Sequence, residues 1–349
     1  MKVNKRIVKY LCFCIVIGLA IQNGIFFYFN KKYEKGQMKI KSVKVDNNID
    51  KKNKPQIEFT KDAKDVKIAF NGKYISYFEG ELLKVLDVEQ NNSVEVKPEK
   101  GEKIVFCKWL ADQTSMIVIE KNKEYFDFYS YDAKKNSKRE LLDFDMNKFK
   151  IKIKGNDDKI EDIVSSSTNV MYIKVSRKDG MSDIYKVNIM NELDLVKADI
   201  LCTGNIAVPP KGTSLIYKDS GKLMMLINDN EREIHLNNSE NIKVIGIDEK
   251  NNLYLAETND NEITSILYGS IEQNPIKFTT VNVPQKLEKD KIIFDEKGNV
   301  IFNDCNNHKL IDLITNKSIN YNGTFLGEYN KGIITLIGNK LNFILLCEK

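Results

Sequence analysis

The chain has 349 residues, 42% of them hydrophobic and 30% charged, with a formal net charge of +5. It is too rich in large apolar residues to be a disordered chain and long enough to bury a sizeable core. The charge is lopsided: residues 1–55 hold 13 Lys/Arg against 3 Asp/Glu, the remainder 41 against 46. The larger part is therefore mildly acidic, which argues against nucleic acid as a partner.

Residues 1–9 form a short basic tail with Lys2, Lys5, Arg6 and Lys9. Then comes "YLCFCIVIGLAIQNGIFFYF", Tyr10 to Phe29, 20 residues without a charge. As a helix it would span ~30 Å, the hydrocarbon thickness of a bilayer. An uncleaved signal anchor fits it best. Cleavage after Gly18-Leu19-Ala20 would leave Ile21 and Phe26-Phe27-Tyr28-Phe29 at an apolar new terminus. A lipoprotein signal needs small residues before its cysteine, but Cys12 follows Leu11 and Cys14 follows Phe13. Lysines flank both ends of the segment, so the positive-inside rule gives little asymmetry. The short tail and long remainder predict N-in, C-out, with an extracytoplasmic domain at the cell membrane. Residues 30–55, rich in Lys and Asn, read as a solvated tether whose lysines meet anionic head groups.

From residue 56 to residue 349 the pattern is short alternating or apolar runs between Asn, Asp and Gly clusters, the signature of strands and turns. "IDEKNNLYLAE" (247–257) and "FDEKGNVIFND" (294–304) state the same local instruction 47 residues apart. They belong to a series in which a polar turn precedes a strand starting at 74, 115, 170, 214, 253, 300 and 333. The spacings are 41, 55, 44, 39, 47 and 33 residues, about 43 on average. Most members continue into a second and third strand, for example "LLKVLDV" (82–88) and "SVEVK" (93–97). "VKIAF" (66–70) before the turn completes four. A period of about 40–45 residues holding four strands is one propeller blade. Seven blades are expected, with six as the near alternative and two packed β-sandwiches as a distant one. The seventh blade lacks an outer strand, and "QIEFT" (56–60) is its candidate, closing the ring so that no edge stays unpaired.

"CKWLADQTSMIVIE" (107–120) resembles the TolB-like repeat of bacterial extracytoplasmic propellers, W-S-P-D-G-x-x-I/L-x-F, through Trp109 and Asp112. Leu110, Ala111 and Gln113 depart from it, while "VPPKGTSLIYKD" keeps Pro210 and Gly212 and the 294–304 stretch keeps Gly298. The resemblance runs as a pattern over residues 56–349. It implies a WD40-like propeller that binds a protein or another envelope component across one face. Related propellers precede serine-peptidase domains, and no such domain is expected here.

The sequence holds no recognisable catalytic or metal set, and no cofactor is expected. His235 and His308 stand on strand patterns without a partner at ligand spacing. No G-x-S-x-G elbow or phosphate-binding glycine loop occurs. Cys107, Cys202, Cys305 and Cys347 are scattered singly, as buried free thiols usually are. "TNDNE" (258–262) and "NDD" (156–158) are acidic turns without calcium-loop order. Trp109 is expected in the core between blades two and three. The longest spacing carries an insertion, "DMNKFKIKIKGNDD" (145–158), in which Lys148, Lys150, Lys152 and Lys154 alternate with apolar residues. These lysines, with Asp157 and Asp158, are the candidate binding residues, on an extra edge strand that either greets an acidic partner or only guards the edge.

The expected protein is a non-catalytic, membrane-anchored propeller that binds an envelope protein or cell-wall polymer. The alternative is a glycan-active enzyme with carboxylates at the central channel. Asp112, Asp248 and Asp295 discriminate. Grouped at one mouth they favour an enzyme or a cation; bonded within separate turns they favour a binder.

Overall fold

The computed structural model describes Gln22 and residues 59–345, apart from 61, 112, 229, 237–240, 260–261, 289–290 and 296. Among the described residues from Lys64 onward the chain is built of strands joined by turns. Asparagine makes the turns between them. Among the described residues, seven of the twelve non-glycine positions with positive φ are Asn, including Asn91, Asn136 and Asn251. Its short polar side chain tolerates the left-handed region that tight hairpin turns require.

Blade one is β1 (Lys64–Ile68), β2 (Tyr74–Glu79), β3 (Leu82–Asp87) and β4 (Asn92–Val96). Blade two is β5 (Lys103–Trp109), β6 (Ser115–Lys121), β7 (Tyr125–Asp132) and β8 (Ser137–Glu140), followed by the short β9 (Lys150–Lys152). Blade three is β10 (Lys159–Ser165), β11 (Met171–Ser176), β12 (Ser182–Val187) and β13 (Leu193–Ile200). Blade four keeps β14 (Leu215–Asp219), β15 (Lys222–Ile227) and β16 (Asn230–Ile234). Blade five is β17 (Ile242–Ile247), β18 (Asn252–Asn259), β19 (Glu262–Ser270) and β20 (Thr279–Glu288). Blade six is β21 (Ile292–Phe294), β22 (Val300–Asp304), β23 (Lys309–Asp312) and β24 (Ser318–Asn320), and blade seven β25 (Thr324–Tyr329), β26 (Gly332–Ile337) and β27 (Lys340–Leu345). Within each blade, successive strands pair antiparallel in chain order.

Seven sheets exclude the six-bladed and sandwich alternatives: the protein is an all-β, seven-bladed propeller. The second strands start within one residue of the expected positions in all seven cases. Blade four departs from the pattern. Its innermost segment is reduced to one bridge, Ala207 with Ile216. Pro209 and Pro210 follow at once, and neither can donate to a ladder.

Alternation along each strand distributes the core. Met116 and Val118 enter a cluster shared with blade one, whereas Ile117 and Ile119 enter one shared with blade three. Successive side chains on a strand point to opposite faces, so each blade feeds both neighbours. Among the described residues seven such clusters occur, one at each junction, and the ring closes through Phe59, Ile75, Tyr77, Leu86 and Ile334 between blades seven and one. Phe59 is 3% exposed and meets Tyr77 edge-on at 4.9 Å, and its amide donates to the Asn339 carbonyl at 2.7 Å. Phe59, near the end of the proposed closing segment, thus lies against blade seven, while 56–58 fall outside the described residues.

Trp109 corrects its expected place. It packs between blades one and two, and its Nε1 donates to Lys67 O at 3.2 Å and Ser76 Oγ at 3.0 Å. No helix among the described residues is long and apolar enough to cross a membrane. The expected anchor, Tyr10 to Phe29, lies outside the described residues except for Gln22, as do the tether and Cys347.

Candidate functional site

The repeated Asp-Glu-Lys turns explain themselves first. Asp248 Oδ1 accepts from the amides of Lys250 at 2.9 Å and Asn252 at 2.8 Å, and its Oδ2 from Asn252 Nδ2 at 2.9 Å and the Tyr254 hydroxyl at 3.1 Å. Asp295 Oδ1 does the same for Lys297 at 3.0 Å and Asn299 at 2.9 Å, with Asn299 Nδ2 on Oδ2 at 2.6 Å. Each Asp organises the turn between the first two strands of its own blade, and the Asn four residues on completes the turn. Asp112 lies outside the described residues.

Gly298 adds the reason for glycine. Its φ is +86°, and a Cβ there would stand 2.5 Å from the Tyr254 hydroxyl. The turn of blade six therefore rests directly on blade five.

The insertion after β8 does form a strand, but not beyond the blade's outer edge. β9 pairs with β7 at Tyr125–Asp127, next to the stretch of β7 (Tyr129–Asp132) that β8 covers. Phe149 and Ile151 are buried in the core shared with blade three. Lys148 pairs with Glu140, Lys150 with Asp127 at 3.0 Å, and Lys154 with Asp183 at 2.8 Å. Asp157 meets Lys178 at 3.4 Å. Asp158 is 5% exposed and accepts from the amides of Lys154 at 2.8 Å and Gly155 at 2.9 Å. Lys152 alone among the four lysines has no ion pair among the described residues. The structure brings the six together along one ribbon but engages five of them inside the domain.

A second assembly had no signal in the sequence. At four consecutive junctions a lysine ammonium reaches a carbonyl of the next blade's innermost segment. Lys67 donates to Cys107 O at 2.8 Å, Lys108 to Ile163 O, Lys174 to Gly204 O at 2.7 Å and Lys218 to Ile242 O at 3.2 Å. Innermost strands have one free edge, and these cations satisfy acceptors there. Lys174 and Lys218 occupy matching places, in "MYIK" and "LIYK". Lys174 is fully buried and also pairs with Glu161 at 3.0 Å. A hollow of about 550 Å³ opens between blades one, two and three, lined by Lys67, Phe106, Lys108, Trp109, Glu161 and Asp162. Its charges are largely committed: Lys108 meets Asp162 at 3.3 Å, and Lys67 sits 2.7 Å from Asp65 and 4.8 Å from the Phe106 ring centroid.

In blade seven, which borders blade one, Glu328 of β25 behaves differently. Burial, reinforced by the negative charge of Asp295, raises its pKa to about 7. Glu120, fully buried at the end of β6, is also raised by burial although Lys138 and the Glu99 amide bond to it. His235 is largely exposed beside Glu233, and His308 lies edge-on to Tyr321 at 5.6 Å. Cys107, Cys202 and Cys305 are free thiols, and Cys305 is exposed. Among the described residues no three His, Cys, Asp or Glu side chains converge as a metal site.

No family model and no curated protein matches the sequence. Solved structures do. A prolyl endopeptidase matches with 12% identity and a TM-score of 0.52 over 74% of this chain and 42% of that one. This chain thus spans less than half of that neighbour. The WD40 domain of SCAP from fission yeast matches at 12% identity and TM-score 0.44, over 81% of this chain and 84% of that one. Kluyveromyces lactis Hsv2p matches at 12% and 0.47, over 78% and 88%. At such identities the likeness concerns the fold.

Proposed function

We propose that the protein is a non-catalytic propeller of the cell envelope, tethered to the membrane through Tyr10 to Phe29, that binds an envelope protein or cell-wall polymer through one face. The observation that supports binding over catalysis is the state of the turn aspartates. Asp248 and Asp295 are bonded within their own separate turns rather than free at a shared mouth. The resemblance of residues 107–120 to TolB-like repeats is compatible with this reading and adds an extracytoplasmic setting.

One observation supports the alternative, a glycan-active enzyme. Glu328 is a carboxylic acid with a pKa near neutrality beside a second carboxyl, Asp295. Paired carboxyls held at different protonation states are what glycoside hydrolysis uses.

Crosslinking of the full-length protein in intact cells, with mass spectrometry of what is captured, tests the main reading. External protease in a parallel sample should remove the domain. A single dominant envelope protein captured through one face is the expected result, and Lys152→Glu should lower its yield if the β9 ribbon takes part. Full protection from protease would overturn the anchored, outward orientation. Hydrolysis of a glycan that Glu328→Gln abolishes would replace binder with enzyme.

A further inference from the structure

A second hollow is larger than the one between blades one, two and three. A groove of about 740 Å³ runs between blades one and two, inside the 300–1,000 Å³ range of small-molecule sites. Four hairpin turns wall it: Asn71–Lys73 and Asp87–Asn92 of blade one, Thr114 and Ala133–Asn136 of blade two.

Three features of this groove point to one chemistry. The first is its floor. Tyr74 is 8% exposed, packed in the core between the two blades, and stacked on Trp109 at 6.4 Å. Its hydroxyl has no hydrogen-bond partner among the described residues, yet the residue lines the groove. Burial and the Asp87 carboxylate both raise its pKa, so it stands as a neutral donor. The phenol opens onto the groove, where a ligand oxygen can accept from it.

The second is the wall. Asn71, Gln90, Asn92 and Asn136 bring four carboxamides to one groove. Asn71 and Asn136 already accept on Oδ1 from the Lys73 amide at 3.0 Å and the Tyr131 hydroxyl at 2.8 Å and keep their amide donors. Gln90 and Asn92 offer donors and an acceptor together, which matches a ligand whose hydroxyls also do both. The third is the charge. Lys73 and Lys134 balance Asp87 and Glu89, and Lys73 already pairs with Glu89 at 2.7 Å. Nothing there selects a net anion or cation.

A peptide is the obvious rival and fits less well. It would seek an open strand edge or apolar pockets for its side chains. Here the turn amides are already engaged: those of Glu89 and Gln90 on Asp87 Oδ1 at 2.9 Å, that of Lys73 on Asn71 Oδ1 at 3.0 Å.

We propose that the groove between blades one and two is a binding site for a neutral oligosaccharide, with the Tyr74 hydroxyl at its floor and the four carboxamides as its walls. The site takes the polymer arm of the function proposed above and gives it a chemical class. It does not depend on how the chain is anchored or on a protein partner.

The protein carries its own reporter, because Trp109 is the chain's single tryptophan and stacks on Tyr74. Full-length protein in detergent is titrated with chitotetraose and maltotetraose, with tetragalacturonate as the acidic probe and a capped, uncharged Gly-Ser-Asn-Gly peptide as the protein-like one. A saturable change in tryptophan emission with one neutral sugar is expected, checked by calorimetry. Tyr74→Phe, which keeps the ring and its packing, should weaken that affinity roughly three- to tenfold. Asn92→Ala, at an exposed turn, should weaken it as well. No saturable signal with either neutral sugar, equal binding of the acidic probe, preference for the peptide, or indifference to both substitutions overturns the proposal. Capture of an envelope protein in cells alongside any of those results would leave the binding-module reading standing and remove only the sugar.

Discussion

The junction between blades two and three and the junction between blades six and seven are built from the same repeat and closed in opposite ways. The first buries eleven apolar residues, among them Phe126, Phe128 and Ile119, where the second buries three, Leu310, Tyr321 and Ile333. At the first, Lys108 carries a positive charge from blade two to a carbonyl and a carboxylate of blade three. At the second, two carboxyls stand near each other, and one is held protonated near neutrality. A propeller is therefore not uniformly tight. Apolar area and cation staples concentrate on blades one to five, and the seam beside the closing blade is thin. In a ring whose blades are each held only by their neighbours, the thin seam is where opening begins.

Core truncation should show the contrast most strongly. Phe126 is fully buried, so Phe126→Ala should destabilise the domain by about 4 kcal/mol. Ile333→Ala at the thin seam should cost about 2 kcal/mol, near the lower end for such truncations because fewer neighbours surround it. Urea unfolding of both variants measures this. Equal losses would mean that the six–seven seam is as tightly packed as the two–three core.

The lysine staples come next. Lys174 is fully buried, 2.7 Å from Gly204 O and 3.0 Å from Glu161. Lys174→Met keeps most of the aliphatic volume but leaves that carbonyl and carboxylate without their cation. A broken buried pair costs about 3–5 kcal/mol, and Glu161 is partly exposed and can rehydrate, so about 3 kcal/mol is expected. The same denaturation experiment reads it. A neutral or stabilising result would show that the cation does not hold the junction between blades three and four.

How much of this was legible in the sequence follows from range. Strand starts at 74, 115 and 300 are as expected, because alternation and Asn or Gly turns are local signals. The Asp248 and Asp295 turns were visible as a repeated phrase, because an Asp organises residues two and four positions on. Long-range pairing had no such signature. Lys154 stands out in the sequence as part of a basic ribbon, but its carboxylates, Asp183 and Asp199, arrive from β12 and β13. Lys174 looks like any strand lysine until its equivalence with Lys218 is set in three dimensions. The groove over Tyr74 combines four turns that reach from residue 71 to residue 136, each reading alone as an ordinary polar loop. Trp109 lies at the one–two junction rather than the two–three junction for a related reason: its residue type announces burial, but not which face of the sheet it takes.

The smallest effect is also the most specific to the thin seam, and it is a pH dependence. Glu328 titrates near 4.5 when unfolded and at about 7 when folded. Between those values the unfolded chain loses the proton while the folded chain keeps it. Stability is thus intact below pH 4.5, falls as pH rises toward 7, and is flat above. A shift of this size corresponds to about 3 kcal/mol at full burial and about 2 kcal/mol with partial access of water. Glu328→Gln removes the titration, so it should match the parent below pH 4.5 and exceed it by about 2 kcal/mol above pH 7. Unfolding curves recorded across that window decide the matter. A parent and variant that run parallel would place Glu328 in ordinary hydrated surroundings. The repulsion with Asp295 could then no longer be what sets the six–seven seam apart from the cation-stapled one.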